Sequence, residues 1–414
     1  MNRCAHRRAR ARRLSRLALL ACHLWVACAP AVFAARVTPA EKVHESIVIR
    51  EEASADSLEI GRLRKGETAP LLESVPYWYK IQLANGEAGY VAKAWSRLLE
   101  DGTGAQPAGF KIHFLDVGTG DAVIVDMGDK EIVIDGGDSL TVLHDYARKE
   151  GIIEDPIELV VVTHGDSDHW KGLVRLLNQD GKATAPRTLV EFWEPGYTRD
   201  CNPLASYDTF ITRVSSQVTG TFKRPLENFH APSTRSRQVA PFTLPLLPGM
   251  IFTLLHSSAT PPASNNDCPY RINNASIVFK LEIQGVKVLF TGDANGKERN
   301  EQSPGTPGHI EKMLLDLEQQ HPGLLKADIL KVPHHGSETA STQAFIDAVD
   351  PRFVIISAST KHHLPKLTTI LRYENGERAI LQTDKNQDGN KDHIVCAGGA
   401  TLPLVCNYKS VLEH

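Results

Sequence analysis

The sequence predicts a small all-β barrel followed by a larger layered domain of mixed strands and helices. Three observations carry this prediction. Residues 43–99 hold many short alternating strands broken by turn residues, and from residue 110 onward apolar runs end repeatedly in an acid or a histidine. Directly after one of these runs, THGDSDHW at 163–170 packs two histidines and two aspartates into six positions. At 414 residues, with 42% hydrophobic and 23% charged residues, the chain is long enough for a full core and a second small domain.

Residues 1–34 carry seven arginines and no acid ahead of the run LALLACHLWVACAPAVFA. A basic start, an apolar centre and a small-residue end predict a signal peptide cleaved near Ala34, and so a periplasmic or secreted protein. Arg12-Arg13 hints at twin-arginine export and Cys22 at a lipoprotein site, which is the less favoured reading. Without those seven arginines, 39 basic residues face 49 acidic ones, a formal charge of -10. Such a balance argues against bulk attraction to nucleic acid. Four cysteines remain, allowing three connectivities; Cys201–Cys268 with Cys396–Cys406 is expected in an oxidising compartment, the alternative being four buried thiols.

Within 43–99, Asn85-Gly86 between two alternating strands predicts a hairpin. The stretches VIREEASADSLEIGRLRKGE and NGEAGYV, with the trio Tyr77-Trp78-Tyr79, resemble the bacterial SH3 domain, whose members often bind cell-wall peptide or other proteins. The aromatics read equally as a binding groove or as barrel core. EDGTGAQPAG, 100–109, has the composition of a linker. Residues 110–414 form the second predicted domain, with no transmembrane segment in it.

In that domain FKIHFLDVGTGD leads to Asp116, EIVIDGGD to Asp135, IELVVVTHGDSDH to His164, KVLFTGD to Asp293, ADILKVPHHGS to His334 and His335, and FVIISASTKHH to Ser357 and His363. WKGLVRLLNQ, after the dense cluster, has helical spacing. In layered folds ligands bind past the carboxyl ends of strands, so these side chains are expected to meet at one site. Imidazole and carboxylate donors suit zinc or manganese, whereas a soft site would show cysteine. His164, Asp166, Asp168 and His169 are too many donors for one tetrahedral ion. Two divalent ions are therefore expected, with Asp293 as the bridging carboxylate and His363 or His362 as the last ligand. A solvated helix start, with Asp168 as its cap, is the bland alternative.

The order FLDVGTGDAVIV, IVIDGG, THGDSDHWKGL, NNASIVFKLE, VLFTGDA, DILKVPHHGS, VIISAS resembles the hydrolase domain of the competence DNA-uptake proteins, within the metallo-β-lactamase fold superfamily. The resemblance implies an α+β fold, an αββα four-layer sandwich. It implies that His164 and Asp166 hold one metal and Asp168, His169 and His363 the other, with Asp293 between. His334 and His335 would lie beside the metals, to protonate a leaving group or hold a phosphate, and Asp168 would join them in catalysis. Asn274, Ser276 and Ser337 would bind substrate, and Asp135 and Asp116 would orient ligands from behind.

The sequence departs from the family signature at Asp166, where a histidine is usual, and His256 is only a candidate for a third ligand of the first metal. An extra carboxylate makes that position harder and shifts preference toward manganese. Residues 199–240 are locally basic and could contact phosphates, or be a plain loop. DKNQDGNKD imitates a calcium loop through Asp384, Asn386 and Asp388, but Val395 stands where a glutamate is needed, so a polar turn is the simpler reading. Trp170 could stack on a base, though packing on the helix is the simpler role.

The leading functional expectation is an exported binuclear hydrolase of phosphodiesters, nucleic acid included, in which the metals make hydroxide available near neutral pH. One alternative keeps the site and cleaves a small ester, lactone, amide or choline-phosphate linkage in the envelope. The other is a non-catalytic module docked on the cell wall.

Overall fold

The computed structural model of the chain describes residues 36–412 apart from 41–42, 84, 100–108, 129, 153–155, 182–184, 224–240, 248, 262–266, 299–305, 360–361, 375, 385–390 and 401. The predicted signal peptide, nearly all of the predicted linker, and Asn386 and Asp388 lie outside the described residues.

Seven strands form the N-terminal all-β part: β1 (Arg36–Pro39), β2 (Ser46–Arg50), β3 (Glu59–Arg64), β4 (Ala69–Val75), β5 (Trp78–Gln82), β6 (Ala88–Ala92) and β7 (Ser96–Leu99). They pair antiparallel in the order β3-β2-β6-β5-β4-β1-β7. Alternation places Val37, Ile47, Ile49, Ile81 and Val91 in one buried cluster. Asn85-Gly86 does turn β5 into β6, with Gly86 at φ 87°, a conformation open to glycine.

Two further sheets follow. One joins β8 (Phe110–Phe114), β9 (Val123–Asp126), β10 (Glu131–Ile134), β11 (Ile157–Val161), β12 (Leu189–Trp193), β13 (Val218–Lys223), β21 (Ile394–Gly398) and β22 (Val405–Tyr408) in the order β13-β12-β11-β10-β9-β8-β21-β22. The other runs β14-β15-β16-β17-β18-β19-β20, from β14 (Phe242–Leu247), β15 (Met250–His256), β16 (Val278–Ile283) and β17 (Val286–Phe290) to β18 (Ile329–Lys331), β19 (Phe353–Ile356) and β20 (Ala379–Gln382).

The sheets face each other through Phe114, Val125, Ile134 and Val161 on one side and Phe252, Phe279, Phe290 and Ile355 on the other. Their outer faces are covered as well. Ile124, Val133 and Val160 pack on α1 (Val142–Glu150), α2 (Ser167–Leu176) and α3 (Ala205–Ser215). Leu289, Leu330 and Val354 pack on the helices His309–Gln320, Gln343–Val349 and Leu367–Glu374. Burial on both faces explains why IELVVV is a continuous apolar run and not an alternating one. Each such side chain stabilises the sandwich by roughly 1.5–3 kcal/mol before conformational entropy is counted.

Both expected disulfides, Cys201–Cys268 and Cys396–Cys406, are present. No helix among the described residues is long and apolar enough to cross a membrane.

Candidate metal centre

Strand ends from both sheets converge on one edge. The end of β11 delivers Thr163 and His164, and α2 begins at Ser167, so Asp168 and His169 lie in its first turn. β17 leads to Asp293, β10 to Asp135, and β18 to a short turn in which His334 and His335 both have positive φ, 50° and 53°. The loop 115–122 closes against α2 at Gly120, with φ 102°; a Cβ there would lie 1.8 Å from the Asp168 carbonyl oxygen. Only glycine allows this approach.

Three imidazoles point at one carboxylate. His169 Nε2 lies 3.4 Å from Asp293 Oδ1, and His335 Nε2 and His164 Nε2 lie 3.4 and 3.8 Å from Asp293 Oδ2. Asp168 Oδ2 is 3.7 Å from His335 Nε2, and Asp166 Oδ2 is 3.7 Å from His164 Nε2. Their outer nitrogens are tied down: His169 Nδ1 to Asp135 Oδ2 at 2.8 Å, and His335 Nδ1 to the Ser357 carbonyl at 2.9 Å. Asp135 also accepts from Thr163 N and Oγ1, each at 2.7 Å.

The inward atoms have no such partners. Nε2 of His164, His169 and His335 and Oδ1 of Asp293 are buried without a hydrogen bond. Buried polar atoms are seldom left so. His164, His169 and Asp293 form one set of donor atoms lying within 4.8 Å of one another, and Asp168, His169 and His335 form another. Nitrogen and carboxylate donors, partnerless and mutually close, fit divalent metal ions of the zinc or manganese type.

The buried charges here set one another's protonation. Burial pushes the Asp293 carboxyl up, but the neighbouring His335, His169 and His334 outweigh it and hold it well below the usual carboxylate range. Burial pushes His335 down, yet Asp293 and Asp121 raise it to about 10. His169 is raised by Asp293 and Asp135 against the same burial.

Several sequence expectations need correction. His363 is exposed and belongs to none of the close donor sets; His335 stands where it was expected. Asp116 does not face the cluster: its Oδ2 accepts from Asp392 N and its Oδ1 from Gly118 N, while its backbone N–H donates to His393. Asp121, five residues on, faces the cluster instead. Its Oδ1 lies 3.3 Å from His335 Nδ1, and it forms an ion pair with the buried Lys331. Asn274 and Ser276, expected to bind substrate, are fully buried behind the cluster; Ser276 Oγ accepts from Asp293 N, and Asn274 Oδ1 accepts from Asn295 Nδ2. Ser337 bonds Thr339 and is not among the residues lining the cavity at the cluster.

That cavity has a volume of about 200 Å³, and its wall includes Thr119, Asp166, Asp168, Asn273, Asp293, His334, His335 and His362. His334 Nε2 lies 3.9 Å from Asp293 Oδ2, while its Nδ1 faces Asn295 Oδ1 and Thr339 Oγ1.

Other expected residues lie elsewhere. His256 is buried in β15 with Nδ1 against the Ser276 carbonyl, and burial lowers it to about 4. Trp170 stacks on Phe210 at 5.1 Å. Tyr79 belongs to the buried cluster of the all-β part, whereas Tyr77, Trp78 and Trp95 line a groove of about 1050 Å³ between that part and α1. Of the basic stretch 199–240, Arg199 turns inward to Asp166, Arg213 caps the Gln179 carbonyl, and residues 224–240 lie outside the described residues.

Two facing sheets with helices outside and this donor-rich edge define the metallo-β-lactamase fold, and residues 115–237 match the metallo-beta-lactamase superfamily. Residues 45–97 match the bacterial SH3 domain. ComE operon protein 3 of Bacillus subtilis (strain 168) is 29% identical over 137 residues, which cover 33% of this chain and 15% of that protein. The match therefore spans less than a sixth of that relative's length. Among solved structures, the metallo-beta-lactamase fold protein YhfI from Bacillus subtilis is similar with 11% identity and a TM-score of 0.39, covering 66% of this chain and 96% of its own. Unliganded yeast PDE1 is similar with 11% identity and a TM-score of 0.38, covering 66% and 97%.

Proposed function

We propose that this protein is an exported, two-metal hydrolase of phosphodiesters, with nucleic acid among its substrates. The observation that carries the reading is the convergence of three partnerless imidazole nitrogens on Asp293, with Asp166 and Asp168 on either side. His164, Asp166, Asp168, His169, Asp293 and His335 would hold the ions. Bound there, divalent ions supply Lewis-acid stabilisation of charge at the scissile group. Asp135 and the Ser357 carbonyl fix the ring orientations of His169 and His335, and Asp121 adds charge behind His335. His334, with Nδ1 on Asn295, presents Nε2 to the cavity, where it holds a proton for the departing oxygen.

A cavity of only about 200 Å³, with Asn273, His334 and His362 in its wall beside the metal-binding carboxylates, suits a compact anionic phosphate better than a long acyl chain. The motif order and the likeness to ComE operon protein 3 support nucleic acid as a substrate. The predicted leader and the two disulfides support export. The groove bearing Tyr77, Trp78 and Trp95 would receive cell-wall peptide. The formal charge of -10 favours a second reading, a small ester or lactone in the envelope.

The test is a screen of manganese- or zinc-loaded protein against bis-p-nitrophenyl phosphate, single-stranded DNA, lactones and a chromogenic β-lactam. Hydrolysis of the first two, lost in Asp168→Ala and Asp293→Ala, is expected. Loaded wild type that is inert toward both would overturn the proposal, and turnover of lactones alone would select the second reading.

A further inference from the structure

The two ends of the cluster are not equivalent. Asp293 lies between them; at one end Asp168 makes no ion pair with a lysine or arginine among the described residues, and its charged neighbour is the His335 imidazole. At the other end, Asp166 is held by an arginine. Arg199 Nη1 donates to Asp166 Oδ1 at 2.7 Å and also to the Gly165 carbonyl. Only Asp166 Oδ2 is left facing His164. The Asn273 amide, turned so that both its ends are satisfied, donates to that oxygen at 3.1 Å and accepts from His334 Nε2 at 3.2 Å.

Arg199 is built into place. It is 5% exposed, sits at φ 56°, and its Nε donates to the Asn202 carbonyl. A Cβ on Gly165 would lie 3.0 Å from Arg199 Cδ, so the ligand loop runs against the arginine stem. Arg199 lines a neighbouring cavity and not the one at the cluster; Asp166 lines both. The guanidinium therefore reaches the carboxylate from behind, away from where substrate would sit. Two residues on, Cys201 is bonded to Cys268, the first residue of the helix Cys268–Asn273. Thus one disulfide joins the segments that carry both non-histidine partners of Asp166. Arg271 on that helix adds an ion pair to Asp200 at 3.3 Å.

We propose that Arg199 is a positioning residue that neutralises Asp166 and makes the His164–Asp166 end the weaker of two metal positions, with the Cys201–Cys268 bond holding it there. This rests on the two-metal reading above. A cation bonded to a ligand carboxylate competes with the incoming ion for the same charge and occupies one of its two oxygens. Partners behind a ligand typically change metal affinity by about 10–100-fold. Here the change is an attenuation, confined to one of the two ions.

The experiment is calorimetric titration of metal-stripped full-length protein with manganese, repeated with zinc, alongside a direct metal count. Wild type is expected to bind two ions, the second at least about tenfold more weakly. Arg199→Met tightens the second step by about tenfold and leaves the first within about twofold, Arg199→Lys retains most of the wild-type gap, and Asp166→Asn removes the second step. If Arg199→Met does not fold, the double variant Cys201→Ser/Cys268→Ser replaces it, with the second step shifting the same way. A second step unchanged or weakened in the folded variant, or two equal steps in wild type, overturns the inference while leaving two-metal binding intact. Absence of any bound ion overturns the inference and the metal-dependent reading together.

Discussion

Replacing Asp135 by asparagine tests the orientation of the cluster with minimal change in shape. The Asp135 carboxylate accepts three bonds, from His169 Nδ1 at 2.8 Å and from Thr163 N and Oγ1 at 2.7 Å each. Asparagine Oδ1 can still accept from Thr163 N. Its Nδ2 then faces His169 Nδ1 and donates to it, which leaves the neutral ring's proton on Nε2. Nε2 is the atom aimed at Asp293, 3.4 Å away, and a protonated nitrogen cannot bind a metal. The ligand must lose its partner or pay for the other tautomer. The expected loss is about 10–100-fold in metal affinity, or roughly 1.4–2.8 kcal/mol at 1.4 kcal/mol per decade. Equilibrium dialysis against manganese and zinc, with circular dichroism to confirm folding, measures it. A folded Asp135→Asn protein with wild-type affinity for both metals would refute the reasoning.

Three other outcomes follow from the same geometry. Lys331→Met leaves the buried Asp121 carboxylate with imidazoles as its only ion-pair partners among the described residues and should lower unfolding stability by about 3 kcal/mol in a urea titration; a change under about 1 kcal/mol would contradict it. Glu311 is buried and lifted from 4.5 to about 7, first by burial, against hydrogen bonds from Thr342 and Ser341. The native state thus holds a proton that the unfolded chain releases, so this stabilisation is full below about pH 4.5, is lost as pH rises through about 7, and amounts to about 3 kcal/mol. The pH dependence of stability over that window should flatten in Glu311→Gln, and an unchanged slope would show that Glu311 is not its source. Asp166→His should shift metal preference from manganese toward zinc in a competition assay; no shift would count against Asp166 as a ligand.

Strand ends and donor types were legible in the chain because apolar runs and chemistry sit side by side in it. The run IELVVV, a helix through WKGLVRLLNQ and the placing of Asp135 and Asp293 at the cluster could be read from period and position. The helix itself starts earlier, at Ser167, with Asp166 and not Asp168 before its first turn. What could not be read is which of two neighbouring side chains turns inward. In the loop 115–122, Gly118 and Gly120 take φ of 78° and 102°, and this path sends Asp121 to His335 and leaves Asp116 to His393. His393 is 277 residues away in sequence. In PHHGS the left-handed turn separates the two histidines, so His335 meets Asp293 and Asp168 while His334 lines the cavity; the histidine pair is the sequence signal that points to His335 rather than His363. Arg199 lies 33 residues from Asp166 and carries no local signature of its partner. The buried places of Asn274 and Ser276 likewise come from packing under the Asp293 loop, which no local pattern records.

The account stands on two metal ions gathered by Asp293. Metal analysis of the purified full-length protein after saturation and removal of loose ions addresses this directly. It should count two divalent transition-metal ions per chain in wild type and at most one in Asp293→Ala, whereas one ion or fewer per wild-type chain would contradict the central claim.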